Sequence, residues 1–464
     1  MTSNTGQIYP YIPNTAPGIR EQMLAAIGVE SIEDLLAGIP AELRLNRPLN
    51  FPEPFTSEYA LKRHVDRLLG TNTGCHEVIS FLGGGCYQHH VPAVCDEING
   101  RSEFLTAYAG EPYDDHGRFQ AMFEYCSMMG ELLNMDVVSV PCYDGFQASA
   151  SALSMASRHT GRRKVLLPAN INPDKLAMIR TYCRSSLELV MVPMDRHTGL
   201  FDMEQLNRQL DDDCAALYFE VPAFLGQVED GQRLTRMAHD AGALAVVAVD
   251  PSSLGVVAPP ADYGADLVCG DIQPLGIHMQ YGGGHGGFIA SHDIPELVMQ
   301  YPSRLFGIAP TKEPGEYGFG DVAFDRTSFS KRENGNEFVG TASALWGITA
   351  GVYLATMGPN GMSELGQGIM ERLAYAMARL SELPGVTLPF SGQAHFKECV
   401  VNFDATGKSV ADISHALRER GIFAGHDLSC DFPALGQSAL FCITEVHTQH
   451  DIDTLCHALK EIIE

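Results

Sequence analysis

Residues 244–255 read LAVVAVDPSSLG, and residues 266–276 read DLVCGDIQPLG. The first is an apolar run rich in valine that stops at Asp250. The second is a shorter apolar run that stops at Asp271. Runs without a polar face, closed by turn residues, are strands covered on both sides, and such strands build parallel sheets flanked by helices.

The same texture extends upstream. VVSVPCYDGFQASASALSMASRH (137–159) is a short run, a glycine turn and a small-residue helix. KVLLPANINPDKLAMIRTYC (164–183) and LELVMVPMDRHTGLFDMEQLNRQL (187–210) each read as strand, loop and helix. CAALYFEVPAFLGQVED followed by GQRLTRMAHDAG (214–242) repeats the unit, and QYGGGHGGFIAS (280–291) completes a strand pair through glycines. Strands alternating with helices predict an α/β domain with a mostly parallel sheet.

On either side the pattern differs. Residues 1–80 are expected to form an N-terminal extension with helices, among them IREQMLAAIG, SIEDLLAGIPAEL and a helical stretch over 57–80. Residues 81–335 form the large α/β domain, with an irregular Gly/Pro/aromatic segment over 296–340. Residues 336–464 open with a long helical region and end in a smaller C-terminal α+β domain. A large middle domain with a smaller C-terminal one fits the pyridoxal-phosphate enzymes of the aspartate aminotransferase fold class. A dinucleotide-binding reading fails, because neither GGGHGG nor FLGGGC joins a strand to a helix with an acid about 20 residues on.

The chain has 464 residues, 45% of them hydrophobic, and a formal net charge of −26. That field opposes nucleic acid and anionic membranes. No run reaches the length of a membrane span. MTSNTGQIYPYIPN has neither the basic head nor the apolar core of a signal peptide, so a cytoplasmic location is expected. None of the twelve cysteines forms a CxxC pair, and reduced thiols are expected. Cys86, His89 and His90 lie close together, but a glycine turn precedes them and no metal site is predicted.

A phosphorylated aldehyde cofactor has three needs. Its phosphate wants backbone N–H groups at a helix start, which Tyr143, Asp144 and Gly145 offer. Its ring nitrogen wants a carboxylate, and Asp250 stands at the carboxyl end of a parallel strand, where such sites open. Its aldehyde wants a lysine amine. Gln273 holds that slot, and the next lysine, Lys312, lies in an exposed-looking loop. His278 and His285 are nearby acid/base candidates. His89, His90, Tyr108, Tyr113 and His116 lie in turn-rich sequence as candidate cleft residues, with Asp114-Asp115-His116 as a possible proton relay or an acidic turn. Arg304 is a candidate carboxylate partner.

The chain resembles the alpha chain of two-subunit glycine decarboxylases, the P-protein of the glycine cleavage system. The resemblance runs through YIPNT, SFLGGGCYQHHVPAV, EFLTAY, FEYCSMMGELLNMDV, VDPSSLGVVAPPADYGADLVCGDIQPLG, YGGGHGGFIA, SRLFGI, GIFAGHDL and ITEVHTQHDIDTL. It implies that glutamine in the lysine slot is normal for this chain. It further implies that a homologous beta chain carries the lysine and the pyridoxal phosphate, and that the two pair into a heterotetramer. The pair would decarboxylate glycine and pass the aminomethyl group to the lipoyl group of H-protein. Three loops depart from the family pattern: AGEPYDDHG after Tyr108, Ala223-Phe224-Leu225-Gly226, and Arg332 to Leu345. They leave room for a fold-related enzyme, as a subunit or a homodimer, acting on another amino acid. A noncatalytic scaffold is a third reading.

Overall fold

The computed structural model of the chain describes residues 11, 16–105, 116–335, 337, 339 and 342–464. Two compact units divide the chain, Met1–Thr73 and Gly74–Glu464.

The first unit holds helices Ile19–Ile27, Ile32–Leu35 and Glu58–Leu69. Ser31 and Asp34 cap the second reciprocally, satisfying amide groups that a helix start leaves open. None of the unit's described residues is buried. The helical stretch expected over 57–80 stops at Leu69, because Gly70 ends it, and residues 79–80 are instead a strand.

That strand, β1 (Ile79–Ser80), belongs to the second unit. Strands β2 (Val137–Val138), β3 (Lys164–Pro168), β4 (Glu188–Val192), β5 (Cys214–Val221), β6 (Leu244–Val249), β7 (Leu267–Asp271) and β8 (Gly287–Ser291) make one seven-stranded sheet in the order β2-β8-β7-β6-β5-β3-β4. Strands β3 to β7 pair in parallel, while β8 is antiparallel to both its neighbours. Every residue of β5 is buried, which is why it carries no alternating pattern. One face of the sheet packs under helices His116–Leu133, Gly231–Asp240 and the start of Ala344–Ser381. The other face packs under Gly145–Thr160 and Pro173–Cys183.

The segment 296–340, expected to be irregular, contains a hairpin of β9 (Phe306–Pro310) and β10 (Tyr317–Asp321). Its strands, FGIAP and YGFGD, are interrupted by glycine, alanine and proline, and so carry little strand signal. Helix Ala344–Ser381 runs on past a break at Gly358-Pro359, where Gly358 has φ 58°. Beyond it, β11 (Glu398–Asn402), β12 (Ile422–Phe423), β13 (His426–Asp427) and β14 (Ser438–Cys442) form the remaining strands. A three-stranded antiparallel sheet has the order β11-β14-β13, and β12 pairs in parallel with β1. Helices Val410–Arg418 and Gln449–Ile463 close the separate core of this part, around Phe81, Cys399, Leu417, Phe441 and Leu455. Strand β11 thereby brings the residue before it, Lys397, to the carboxyl ends of β5 to β7.

Candidate functional site

The carboxyl ends of β5, β6 and β7 and the start of helix Gly145–Thr160 enclose a cavity of about 300 Å³. Loop 84–87 and residues 396–398 supply its other walls. This is where an open parallel sheet places its ligand crevice.

Asp250 follows the last valine of β6 and projects into the cavity. One oxygen, Oδ1, accepts from the Ser252 amide at 2.9 Å and the Ser252 hydroxyl at 2.7 Å. The other, Oδ2, accepts from Lys397 Nζ at 2.5 Å. Burial works against the charged carboxylate, but the Lys397 ammonium prevails and holds the Asp250 pKa below its ordinary value. Lys397 also donates to His89 Nε2 at 2.9 Å and lies 4.0 Å from the centre of the Tyr87 ring. An ammonium donating to Nε2 fixes the tautomer with the proton on Nδ1, and Nδ1 lies 2.8 Å from Glu445 Oε2. Burial would raise the Glu445 pKa, yet hydrogen bonds from His89 and from the His90 backbone amide, 2.6 Å from Oε1, hold it below its ordinary value. Glu398 points into the same cavity, where Gly84 N–H and the Tyr87 hydroxyl donate to it at 2.7 and 3.2 Å. Its burial outweighs those donors and pushes its pKa up to about 7.

The helix start is closed in the same manner. Asp144 is the N-cap and accepts from the Gln147 amide at 2.7 Å. Asp271, at the end of β7, accepts from the Gly145 amide at 2.7 Å. A Cβ on Gly145 would lie 2.9 Å from that of Asp271, so only glycine lets the strand end come this close. His285 Nδ1 lies 3.1 Å from Asp271 Oδ2 but out of line for a hydrogen bond, so the contact is ionic. Burial disfavours the imidazolium, while the Asp271 carboxylate favours it more and raises the His285 pKa. On the far wall Lys175 pairs with Glu220 at 2.5 Å.

Several expected site residues fall elsewhere. Gln273 is fully buried but does not line the cavity. Its amide accepts from Tyr87 N–H at 2.9 Å and donates to the carbonyls of Tyr87 and Ile277 at 2.8 and 3.1 Å. It ties down loop 84–87, and Asp271, two residues earlier, is the group that faces inward. The Tyr143 side chain is 55% exposed and off the cavity, whereas Phe146 lines the wall. His90 contributes its amide rather than its exposed ring. Arg304 lies away from the cavity, bound to both oxygens of Asp321 at 3.1 and 2.8 Å and set over Phe119 and Phe306. His278 forms an exposed pair with Asp96, and Lys312 is exposed in the β9–β10 turn. Tyr108, Tyr113, Asp114 and Asp115, with the side chain of His116, lie outside the described residues. No group of three metal-ligating side chains occurs among the described residues.

Sequence reasoning missed Lys397 and Glu398, and with them Asp271, Lys175, Glu220 and Glu445. The signal for the first two was a Lys-Glu pair interrupting the otherwise apolar stretch HFKECVVNF.

The sheet order, the helix start beneath Gly145 and the aspartate at the end of β6 define the fold of the pyridoxal-phosphate-dependent aminotransferase class. Solved chains described as a NifS-like protein and a sphingosine-1-phosphate lyase share it, with TM-scores of 0.62 and 0.64 at 13% and 15% identity. A crystal structure of glycine decarboxylase (P-protein) of the glycine cleavage system, in inhibitor-bound form, matches with a TM-score of 0.86. It is 33% identical and covers 98% of this chain and 100% of its own. The family model of the glycine cleavage system P-protein matches residues 10–459. The chain is 38% identical over 456 residues to the probable glycine dehydrogenase (decarboxylating) subunit 1 of Moorella thermoacetica, covering 98% of this chain and 99% of that one. The protein of the same description from Staphylothermus marinus is 36% identical over 465 residues, covering 98% of both chains. This chain belongs to the glycine cleavage system P-protein family.

The residues present do not fit pyridoxal phosphate. The carboxylate suited to a ring nitrogen is neutralised by Lys397, and two carboxylates hold the amides suited to a phosphate. A second negative group at that helix start would meet like charge at short range.

Proposed function

We propose that this chain is the alpha subunit of a two-chain glycine decarboxylase, with glutamine in place of the cofactor-binding lysine. A homologous beta chain holds pyridoxal phosphate on its own lysine, and this chain completes the cleft at their shared surface. Together they decarboxylate glycine and transfer the aminomethyl group to the lipoyl group of H-protein, in the cytoplasm, as a heterotetramer. The isolated chain is inactive.

The observation that carries this reading is the contact between Lys397 and Asp250 in a chain of P-protein fold, because it removes the chain's own means of holding the cofactor. Within the first unit Ile27, Leu43, Phe51, Tyr59 and Leu69 are all more than half exposed, a density of bare apolar side chains that marks a contact surface, for a partner or for the rest of this chain. No helix among the described residues is long and apolar enough to cross a membrane.

One observation favours a second reading, in which the pair acts on another amino acid. Ala223 and Phe224, in a loop that departs from the family pattern, line the cavity wall. Co-expression with a lysine-bearing homologous chain and a lipoylated carrier, followed by carbon dioxide exchange on a panel of amino acids, separates the readings. Exchange on glycine supports the first. Exchange confined to another amino acid supports the second. No exchange with an assembled pair supports a scaffold.

A further inference from the structure

The cavity contains the two polar anchors this fold offers a phosphorylated ring, and the chain itself fills both. A chain that had only lost its lysine would still present a free carboxylate and free helix amides, and would bind pyridoxal phosphate noncovalently. Here the carboxylate of Asp250 carries the Lys397 ammonium, a cation where a protonated ring nitrogen belongs. The Gly145 amide carries the Asp271 carboxylate, an anion where a phosphate belongs. Each stand-in matches the charge of the group it displaces.

Lys397 is held there at some cost. Its side chain is 1% exposed, and its backbone sits in the left-handed region at φ 65°. Lysines rarely tolerate full burial, and residues other than glycine rarely tolerate that φ unless their surroundings enforce it. The surroundings do enforce it. Ile443 N–H donates to the Lys397 carbonyl at 2.8 Å, and His89 with Glu445 extends the charge chain away from the cavity. Asp271 is fixed equally firmly, by Gly145, by the Gln273 amide at 2.9 Å and by His285.

We propose that Lys397 and Asp271 are built-in substitutes for the two charged ends of pyridoxal phosphate, and that they keep this chain's cavity folded and closed to the cofactor. The inference concerns the chain's own cavity and does not depend on glycine being the substrate.

The test uses the purified full-length chain and the variants Lys397→Met, Asp271→Ser and their combination, with Lys397→Arg as a conservative control. Pyridoxal phosphate, pyridoxine and inorganic phosphate are the probes. Thermal shift and cofactor absorbance retained through gel filtration are the readouts. The unaltered chain and Lys397→Arg should retain no cofactor. Lys397→Met should be stabilised by pyridoxine, and Asp271→Ser by inorganic phosphate. The double variant should bind pyridoxal phosphate at least about tenfold more tightly than the unaltered chain. Should Lys397→Met fail to fold, Lys397→Gln replaces it in the same series, since it keeps a donor for Asp250 without the charge. Cofactor retained by the unaltered chain overturns the proposal. So does a double variant, folded by circular dichroism, that binds no more tightly than the unaltered chain.

Discussion

Lys397 Nζ lies 2.5 Å from Asp250 Oδ2, joining residues 147 positions apart in the chain at the carboxyl edge of the sheet. Both side chains are nearly buried, so each stabilises the charge of the other. Removing one member of a buried pair leaves an uncompensated charge, whereas removing both does not. Lys397→Met should therefore cost about 3–5 kcal/mol. The double variant Lys397→Met/Asp250→Asn should recover part of that loss. Urea unfolding of the two single variants and the double variant measures the coupling. Additive losses would show that the pair contributes nothing as a pair.

Glu398 gives a pH dependence of definite sign. Its pKa is about 7 in the folded chain, above the ordinary glutamate value of about 4.3. The folded chain thus keeps a proton that the unfolded chain has already released. Its contribution is most favourable below the unfolded pKa and is lost as pH rises from about 4.3 to about 7, by at most about 4 kcal/mol. Glu398→Gln should flatten this part of the stability profile, so the variant gains on the parent chain as pH rises. An unchanged slope would mean that Glu398 titrates normally.

Gly226 positions the strand that carries these groups. It has φ 97°, and a Cβ there would lie 1.9 Å from the Glu398 carbonyl oxygen. Gly226→Ala combines backbone strain with a backbone collision and should cost about 3 kcal/mol or more. Gly161 has φ 70°, and a Cβ there would meet nothing within 4 Å. Gly161→Ala should lose only the strain, about 1–2 kcal/mol. Comparison of the two by urea unfolding separates collision from strain. Equal losses would deny the close approach.

Gln273→Lys should not restore covalent capture. The position is fully buried, and its amide makes three hydrogen bonds that hold Tyr87 and Ile277. The substitution removes the acceptor and buries an ammonium beneath the loop, so the chain should lose stability. Adding pyridoxal phosphate should give no imine absorbance. Appearance of that band would show that position 273 reaches the cavity.

The strands were legible because burial on both faces leaves an unbroken apolar run, as in β5 and β6, and the turn after each run marks its end. Asp250 was legible for the same reason, since the carboxyl end of a parallel strand is where a crevice opens. Lys397 was not, because its role arises from a contact across 147 residues that no local pattern encodes. Which side chain of a turn faces inward was not legible either: Phe146 and Asp271 line the cavity, while their neighbours Tyr143 and Gln273 do not. The β9–β10 hairpin hid behind glycines that weaken the strand signal.

The central claim is that the cofactor of this enzyme resides on a partner chain. The most direct measurement is borohydride reduction of the assembled pair with pyridoxal phosphate, followed by peptide mapping of both chains. The account predicts the pyridoxyl group on a lysine of the partner and none on this chain. A pyridoxyl group on Lys397, Lys175 or any other amine of this chain, stoichiometric with protein, would contradict it.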